Sequence, residues 1–230
     1  MKLEKKLIEI PIEIFKNVVT EPCIEINEGI KIITPNEANC LMCIFELPKE
    51  RFIEYDFEGT QKFKIMMEML NNVLKRIKTK IINIDYKNEK IIISDEHNKK
   101  SYEIAVLFDA DVLREIPDVE LNSSFKMDSS KFKDLLDDAN VVSNDCKIET
   151  TDTTLNIYAG VLNKMTSKIP YTPTNPAIAE YSLEYLLSFM NASKYFKEVL
   201  FEYSNDTLCK LTFQNEDSKI QFILANRVTE

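Results

Sequence analysis

The sequence predicts an α+β protein of two similar domains, each with two helices packed on antiparallel β-sheets. Three observations predict it. Apolar residues recur in short alternating runs, the period of half-buried strands. Three longer stretches change to the 3.6-residue period of amphipathic helices. The order of elements over residues 2–106 then starts again over residues 125–225.

Residues 2–10 read as a strand and Ile12 to Val19 as a short helix. IEIN and IKII, residues 24–27 and 30–33, flank Glu28-Gly29 and read as a hairpin. CLMCIFEL (40–47) is a buried strand that Pro48 stops, and FIEYDF (52–57) and FKIM (63–66) are further strands. Leu70, Val73, Leu74 and Ile77 fall at helical spacing, so 67–79 is an amphipathic helix. Strands at 81–87, 90–95 and 100–106 follow, around turns at Asn88 and His97-Asn98. The acidic stretch 108–121 holds Pro117, has no clean period and reads as a linker. It separates an N-terminal domain, 1–107, from a C-terminal domain, 121–230, through a connector at 108–120.

In the second half, FKM (125–127) leads to Asp128, a good helix cap, and Phe132, Leu135, Leu136 and Ala139 line one face of the next helix. Strands are expected at 146–150 and 154–159, while three prolines leave 161–181 without a readable pattern. Ser182 caps a helix, 182–194, whose Leu183, Leu186, Leu187 and Met190 face inward, and strands at 199–204, 208–213 and 219–225 close the chain. Phe15-Lys16 repeats as Phe132-Lys133, and Glu68-Met69-Leu70 as Glu184-Tyr185-Leu186, at offsets of 117 and 116 residues. One duplication accounts for both, and the repeated order of elements supports it more than the letters do. Copies of such a chain can close into a ring that uses up unpaired sheet edges.

Composition narrows the function. A chain of 230 residues holds one large or two small cores, and 44% apolar residues exclude a disordered chain. The net charge of -9 argues against a free-standing nucleic-acid binder but allows basic residues confined to one face. None of Gly29, Gly59 and Gly160 sits in a phosphate-cradling run, and no apolar run approaches membrane-spanning length. The start MKLEKKLIEIPIEIF does not read as a signal peptide. Five cysteines suit a reducing compartment.

Catalytic constellations are poorly supported. His97, the single histidine, sits in a turn among charged residues, so neither a histidine triad nor a histidine metal centre has a second member. Cys40 and Cys43 have redox-like spacing, but inside a strand their thiols point to opposite faces, and both read as core residues, like Cys23, Cys146 and Cys209. Asp109, Asp111 and Glu115 read as a solvated acidic loop, and Asp134, Asp137 and Asp138 share a helix with no base or metal ligand beside them. The positive signal is VLKRIK (73–78): Lys75 and Lys78 share a face with Asn71, and residues 67–80 carry Glu68 against Lys75, Arg76, Lys78 and Lys80.

At this point the chain resembles the proliferating-cell-nuclear-antigen family of DNA sliding clamps, especially its archaeal members. Tyr181 to Leu186, the strand pair 199–213 and Ile223 to Val228 resemble the family's final domain. Phe45 to Glu50 with Tyr55 resembles its first domain, Val73 to Lys78 its basic inner helix, and Phe132 to Ala139 with Val142-Ser143 the first helix of its second domain. The resemblance is collinear over almost the whole chain.

It implies the DNA clamp fold, a trimeric ring, and a processivity factor that encircles double-stranded DNA without sequence preference. It implies no catalytic residue, no metal and no cofactor. DNA polymerase, clamp loader, flap endonuclease and ligase would dock through short peptides. The DNA side would use Lys16, Lys75, Arg76, Lys78, Lys133 and Lys194. The peptide groove would use Asn39, Cys40, Met42, Leu113, Ile116, Pro117, Leu208, Ala225, Asn226 and Val228. Subunits would join through strands near 98–106 and 161–168, with Tyr102 and Val161 at the seam. The implied place is intracellular and DNA-associated, cytoplasmic in an archaeon, with no membrane partner.

The chain departs from the family at Leu208 and Asn226, where prolines are usual, and at Asn72, Asp137, Ser188 and Asn191, where basic residues are common. These departures keep open a second reading: an accessory or regulatory subunit of a heteromeric ring that does not encircle DNA as a homotrimer. A small hydrolase would need a nucleophile and a base in one concave site.

Overall fold

The computed structural model describes residues 1–107, 115–171 and 174–227. The chain divides into two compact units, Met1–Glu37 with Cys43–Ile116, and Ala38–Met42 with Pro117–Glu230. Leu113 and Val228, like Asp109 and Asp111, lie outside the described residues.

The first unit runs β1 (Lys2–Glu4), α1 (Lys6–Phe15), β2 (Cys23–Ile26), β3 (Gly29–Pro35), β4 (Leu41–Pro48), β5 (Gln61–Lys64), α2 (Met67–Arg76), β6 (Ile81–Lys87), β7 (Lys90–Asp95) and β8 (Ser101–Ala105). The second runs β9 (Ser123–Asp128), α3 (Ser129–Asn140), β10 (Asp145–Thr150), β11 (Thr154–Ala159), β12 (Met165–Pro170), β13 (Ala177–Ser182), α4 (Leu183–Phe189), β14 (Glu198–Tyr203), β15 (Cys209–Gln214) and β16 (Lys219–Leu224). A 3-10 turn, Met190–Lys194, extends α4. The strand neighbours match as well as the order. β1-β6-β7-β8 in the first unit corresponds to β9-β14-β15-β16 in the second, and β5-β2-β3-β4 to β13-β10-β11-β12. Two similar α+β domains are thus present, each with a pair of helices in contact, α1 with α2 and α3 with α4.

Four expectations need correction. Residues 2–10 are not one strand: β1 stops at Glu4, and α1 already holds Lys6 to Phe15 with Pro11 inside it. The alternation in LIEIPIEIF mimics a strand, but burial of Leu7, Ile8, Pro11, Ile12, Ile14 and Phe15 outweighs the lost Pro11 donor. Residues 52–57 form no strand; their backbone meets β1 at the isolated Lys2–Glu54 bridge, and the Tyr55 hydroxyl reaches Gly29 of β3. The unreadable stretch 161–181 holds β12 and β13. Ser182 stands at the start of α4, but its side chain makes no capping hydrogen bond, whereas the Asp128 carboxylate accepts from the Lys131 N–H at 3.0 Å.

The two cores differ in chemistry. Ile8, Ile12, Ile24, Ile32, Ile84 and Ile93 help line a small apolar cavity of about 40 Å³ in the first unit. The second is aromatic: Phe125 stacks on Phe201 at 4.9 Å, Phe132 meets both edge-on, and Phe189 stacks on Phe222 at 4.3 Å. A buried polar network joins its two sheets. The Ser123 and Tyr203 hydroxyls each lie 2.9 Å from Thr150 Oγ1, and Tyr203 also donates to the Ala177 carbonyl at 3.1 Å.

Burial pushes the Tyr203 phenol up to about 12 and raises Tyr181 further, against the pull of the Thr150 hydrogen bond on Tyr203. Both phenols are therefore protonated in the folded state where an unfolded chain would begin to ionise. Their contribution to stability is present in full below about pH 10 and falls as pH rises toward 12. Tyr203→Phe should lower neutral-pH stability by about 1–2 kcal/mol through lost hydrogen bonds and flatten the alkaline decline. Urea unfolding across that range reads both effects, and an unchanged alkaline slope would refute Tyr203 as its source.

Candidate nucleic-acid interface and partner groove

The α2 helix is amphipathic in space as in sequence. Met67, Leu70, Val73 and Leu74 are buried, while Lys75, Arg76 and Lys78 are exposed. Asn71 departs from expectation: it is buried and does not share the basic face. The Lys78 ammonium turns back to the Lys75 carbonyl at 2.9 Å, closing the helix end. Lys5, which carries no signal in the sequence, completes this cap. Its half-buried ammonium donates to Ile77 O at 2.9 Å and Leu74 O at 3.3 Å, and pairs with Glu9 at 3.0 Å. Cations here complement the negative end of the helix dipole. Lys75 and Arg76 form no ion pair among the described residues.

The other basic candidates are more scattered. Lys16 follows α1 and is half-exposed. In the second unit, Lys133 forms an ion pair with Asp137 one turn along α3, and Lys194 is exposed in the 3-10 turn after α4. The structure therefore brings Lys75, Arg76 and Lys78 together at the end of α2, which stops at Arg76, but engages Lys133 with a carboxylate.

Most of the expected groove residues fall in the second unit. Asn39, Cys40 and Met42 belong to its inserted segment, with Pro117, Leu208, Ala225 and Asn226, while Ile116 ends the first unit. The Ala225 N–H donates to Cys40 O at 2.8 Å, which joins the segment before β4 to the end of β16. Ala225 and Asn39 are exposed, Asn226 and Leu208 half-buried, and Ile116 is 43% exposed. Cys40 precedes β4 and is half-buried, so of the Cys40–Cys43 pair only Cys43 is a core residue. Arg227 anchors the chain's last described residues: its N–H reaches Glu180 O at 2.7 Å and its guanidinium reaches Asp145 at 2.8 Å. Asp145 raises the Arg227 pKa. The turn bearing Leu208 is held by Tyr181, whose hydroxyl donates to Thr207 O at 2.9 Å.

The sheet ends carry the remaining backbone donors. β1 meets Glu54, and β5 meets Leu107, through isolated bridges. β8 and β12 end their sheets. On β12, Tyr171 N–H bonds inward to Thr153 O, so by alternation Thr166 and Lys168 point their backbone groups away from β11. On β8, Val106 N–H bonds inward to Glu89 O, so Tyr102 is also engaged with β7, and Ser101, Glu103 and Ala105 face outward. Val161 lies in the turn before β12 and is 83% exposed.

Burial pushes the Cys43, Cys146 and Cys209 thiols upward, keeping them protonated and poorly nucleophilic. Among the described residues, no three of His, Cys, Asp or Glu gather to hold a metal ion, and no helix is long and apolar enough to cross a membrane.

Two units of one topology, each with a helix pair on two four-stranded antiparallel sheets, define the DNA-clamp fold. No protein-family model matches the chain. It is 26% identical over 216 residues to the DNA polymerase sliding clamp of Nanoarchaeum equitans, covering 87% of each chain. It is 24% identical over 230 residues to that of Methanococcus maripaludis, covering 92% of each. Among solved structures, proliferating cellular nuclear antigen from Entamoeba histolytica superposes with a TM-score of 0.88 at 15% identity, covering 99% of this chain and 98% of that one. A. fulgidus PCNA, solved with the C-terminal region of FEN-1, gives 0.88 at 18% identity, covering 100% and 98%. The chain is thus similar over most of its length to archaeal DNA polymerase sliding clamps, and it has the fold of the PCNA structures.

Proposed function

We propose that the chain is a subunit of a ring that encircles duplex DNA and tethers partner enzymes to it, with no covalent chemistry of its own. The observation that carries the reading is the pair of open strand edges, β8 in one domain and β12 in the other. Two different edges on one chain make a head-to-tail contact, which closes as a ring when the rotation allows. Three subunits close it, as a homotrimer or with sister subunits, and residues 108–120 connect the two domains of each. Seam-facing donors at Glu103 and Lys168 replace Tyr102 and Val161 as the positions to test. Glu103→Pro and Lys168→Pro each remove an outward donor while sparing the in-sheet ladder. Both should shift the sedimentation mass from assembly to single subunit. Assemblies of wild-type mass in both variants would exclude this seam.

Lys75 and Arg76 supply nonspecific attraction to phosphates, assisted by Lys16, Lys78 and Lys194. Lys75→Ala with Arg76→Ala should lower retention on closed circular DNA at low salt. The difference should vanish as salt rises. Equal low-salt retention, with ring mass intact, would defeat a DNA-facing α2.

Partner peptides dock on the second unit around Cys40, Leu208 and Ala225, with Asn39, Met42, Pro117 and Asn226 beside them. Support comes from A. fulgidus PCNA, solved with the C-terminal region of FEN-1. DNA polymerase, clamp loader, flap endonuclease and ligase are the partner classes, in an intracellular, DNA-associated setting. Ala225→Asp should weaken binding of such a FEN-1 peptide at least tenfold, about 1.4 kcal/mol, by calorimetry. Wild-type affinity in that variant would move the groove elsewhere.

A further inference from the structure

We infer that Asp137 withholds Lys133 from DNA, making α3 a repulsive stretch of the helical face and confining phosphate attraction mainly to α2. This rests on the reading that the helix layers face DNA. On α3, two lysines stand against three aspartates: Lys131 and Lys133 against Asp134, Asp137 and Asp138. Asp134, Asp137 and Asp138 are exposed. The Lys133 ammonium is bound to the Asp137 carboxylate one turn away. Lys131 lies on the stripe of Asp134 and Asp138, three and seven residues on.

The pair has little to do for the helix itself. Exposed pairs of this spacing add little stability, and a lysine placed before its acid opposes the helix dipole. Its clearer effect is on what the surface offers a polyanion. A phosphate approaching Lys133 must displace a carboxylate already in place and then sit beside it. The neighbouring α4 gives little compensation before Lys194, exposed in the 3-10 turn that follows it: Glu184 is exposed near its start, Ser188 donates to Tyr185 O at 2.6 Å, and Asn191 donates to Ser188 O at 3.0 Å. Those polar groups are turned onto their own backbone. By contrast, Lys75 and Arg76 on α2 stand clear of any ion pair among the described residues.

The test is salt-gradient elution of the intact protein from immobilised duplex DNA. Asp137→Asn should free Lys133 and raise the salt needed for elution. The slope of log affinity against log salt should steepen by about 0.9 for each additional phosphate that the protein neutralises. Lys133→Ala in the Asp137→Asn background restores the wild-type net charge and should return elution to the wild-type position. Asp137→Ser asks the same question if the asparagine variant fails to fold. Elution of Asp137→Asn with the wild type would overturn the inference, as would a rise in eluting salt that survives loss of Lys133. If Lys75→Ala with Arg76→Ala also elutes with the wild type, the DNA-facing reading itself fails. A lower elution for that pair, beside unchanged Asp137 variants, defeats this inference alone.

Discussion

Every strand ladder ends somewhere, and the backbone groups on its last strand must find a partner or face water. Most ends in this protein are covered locally. Glu54 covers β1, Leu107 covers β5, and Asp206 donates to Ile178 O on β13. Thr174 and Tyr171 side chains accept from the β9 N–H groups of Ser124 and Lys126. The outward groups of Ser101, Glu103 and Ala105 on β8, and of Thr166 and Lys168 on β12, meet no further strand among the described residues. Duplication produces this asymmetry. The same strand order occurs twice, yet β8 and β12 occupy different places in it. The open edges of one chain are thus unlike each other, as a head-to-tail assembly requires.

Much of this architecture is legible in the sequence because duplication leaves one period and amphipathic helices leave another. Helix α3 begins directly after its expected cap, since Asp128 caps it and Phe132, Leu136 and Ala139 mark its buried face. Helix α1 is disguised because isoleucine alternation favours a strand locally and Pro11 disfavours a helix interior, and only packing reverses the preference. The strands β12 and β13 are hidden by prolines in the sequence, of which Pro170 falls at a harmless position. Pro170 occupies an outward-facing place on β12, where no ladder donor is lost.

The site is less legible than the fold. The basic run on α2 is plain in sequence, but which of its lysines stay available depends on side-chain geometry. Lys78 is spent on the helix end, and Lys5 arrives from between β1 and α1 to help, across 69 to 72 residues that no local pattern links. Strand parity is equally hidden. Tyr102 and Glu103 are neighbours, yet one faces β7 with its backbone and the other faces away. A one-residue shift inverts that assignment, and sequence patterns rarely fix strand starts so closely.

Pro170 also fixes how long any ladder on β12 can be. A strand laid along that edge meets the donors of Thr166 and Lys168, and then a ring nitrogen with nothing to offer. Each amide hydrogen bond is worth only about 0.5–1.5 kcal/mol net in water. So short a row of donors would leave side chains to supply most of the strength of any strand pairing there. The proline therefore sets where the row of outward donors on this strand stops.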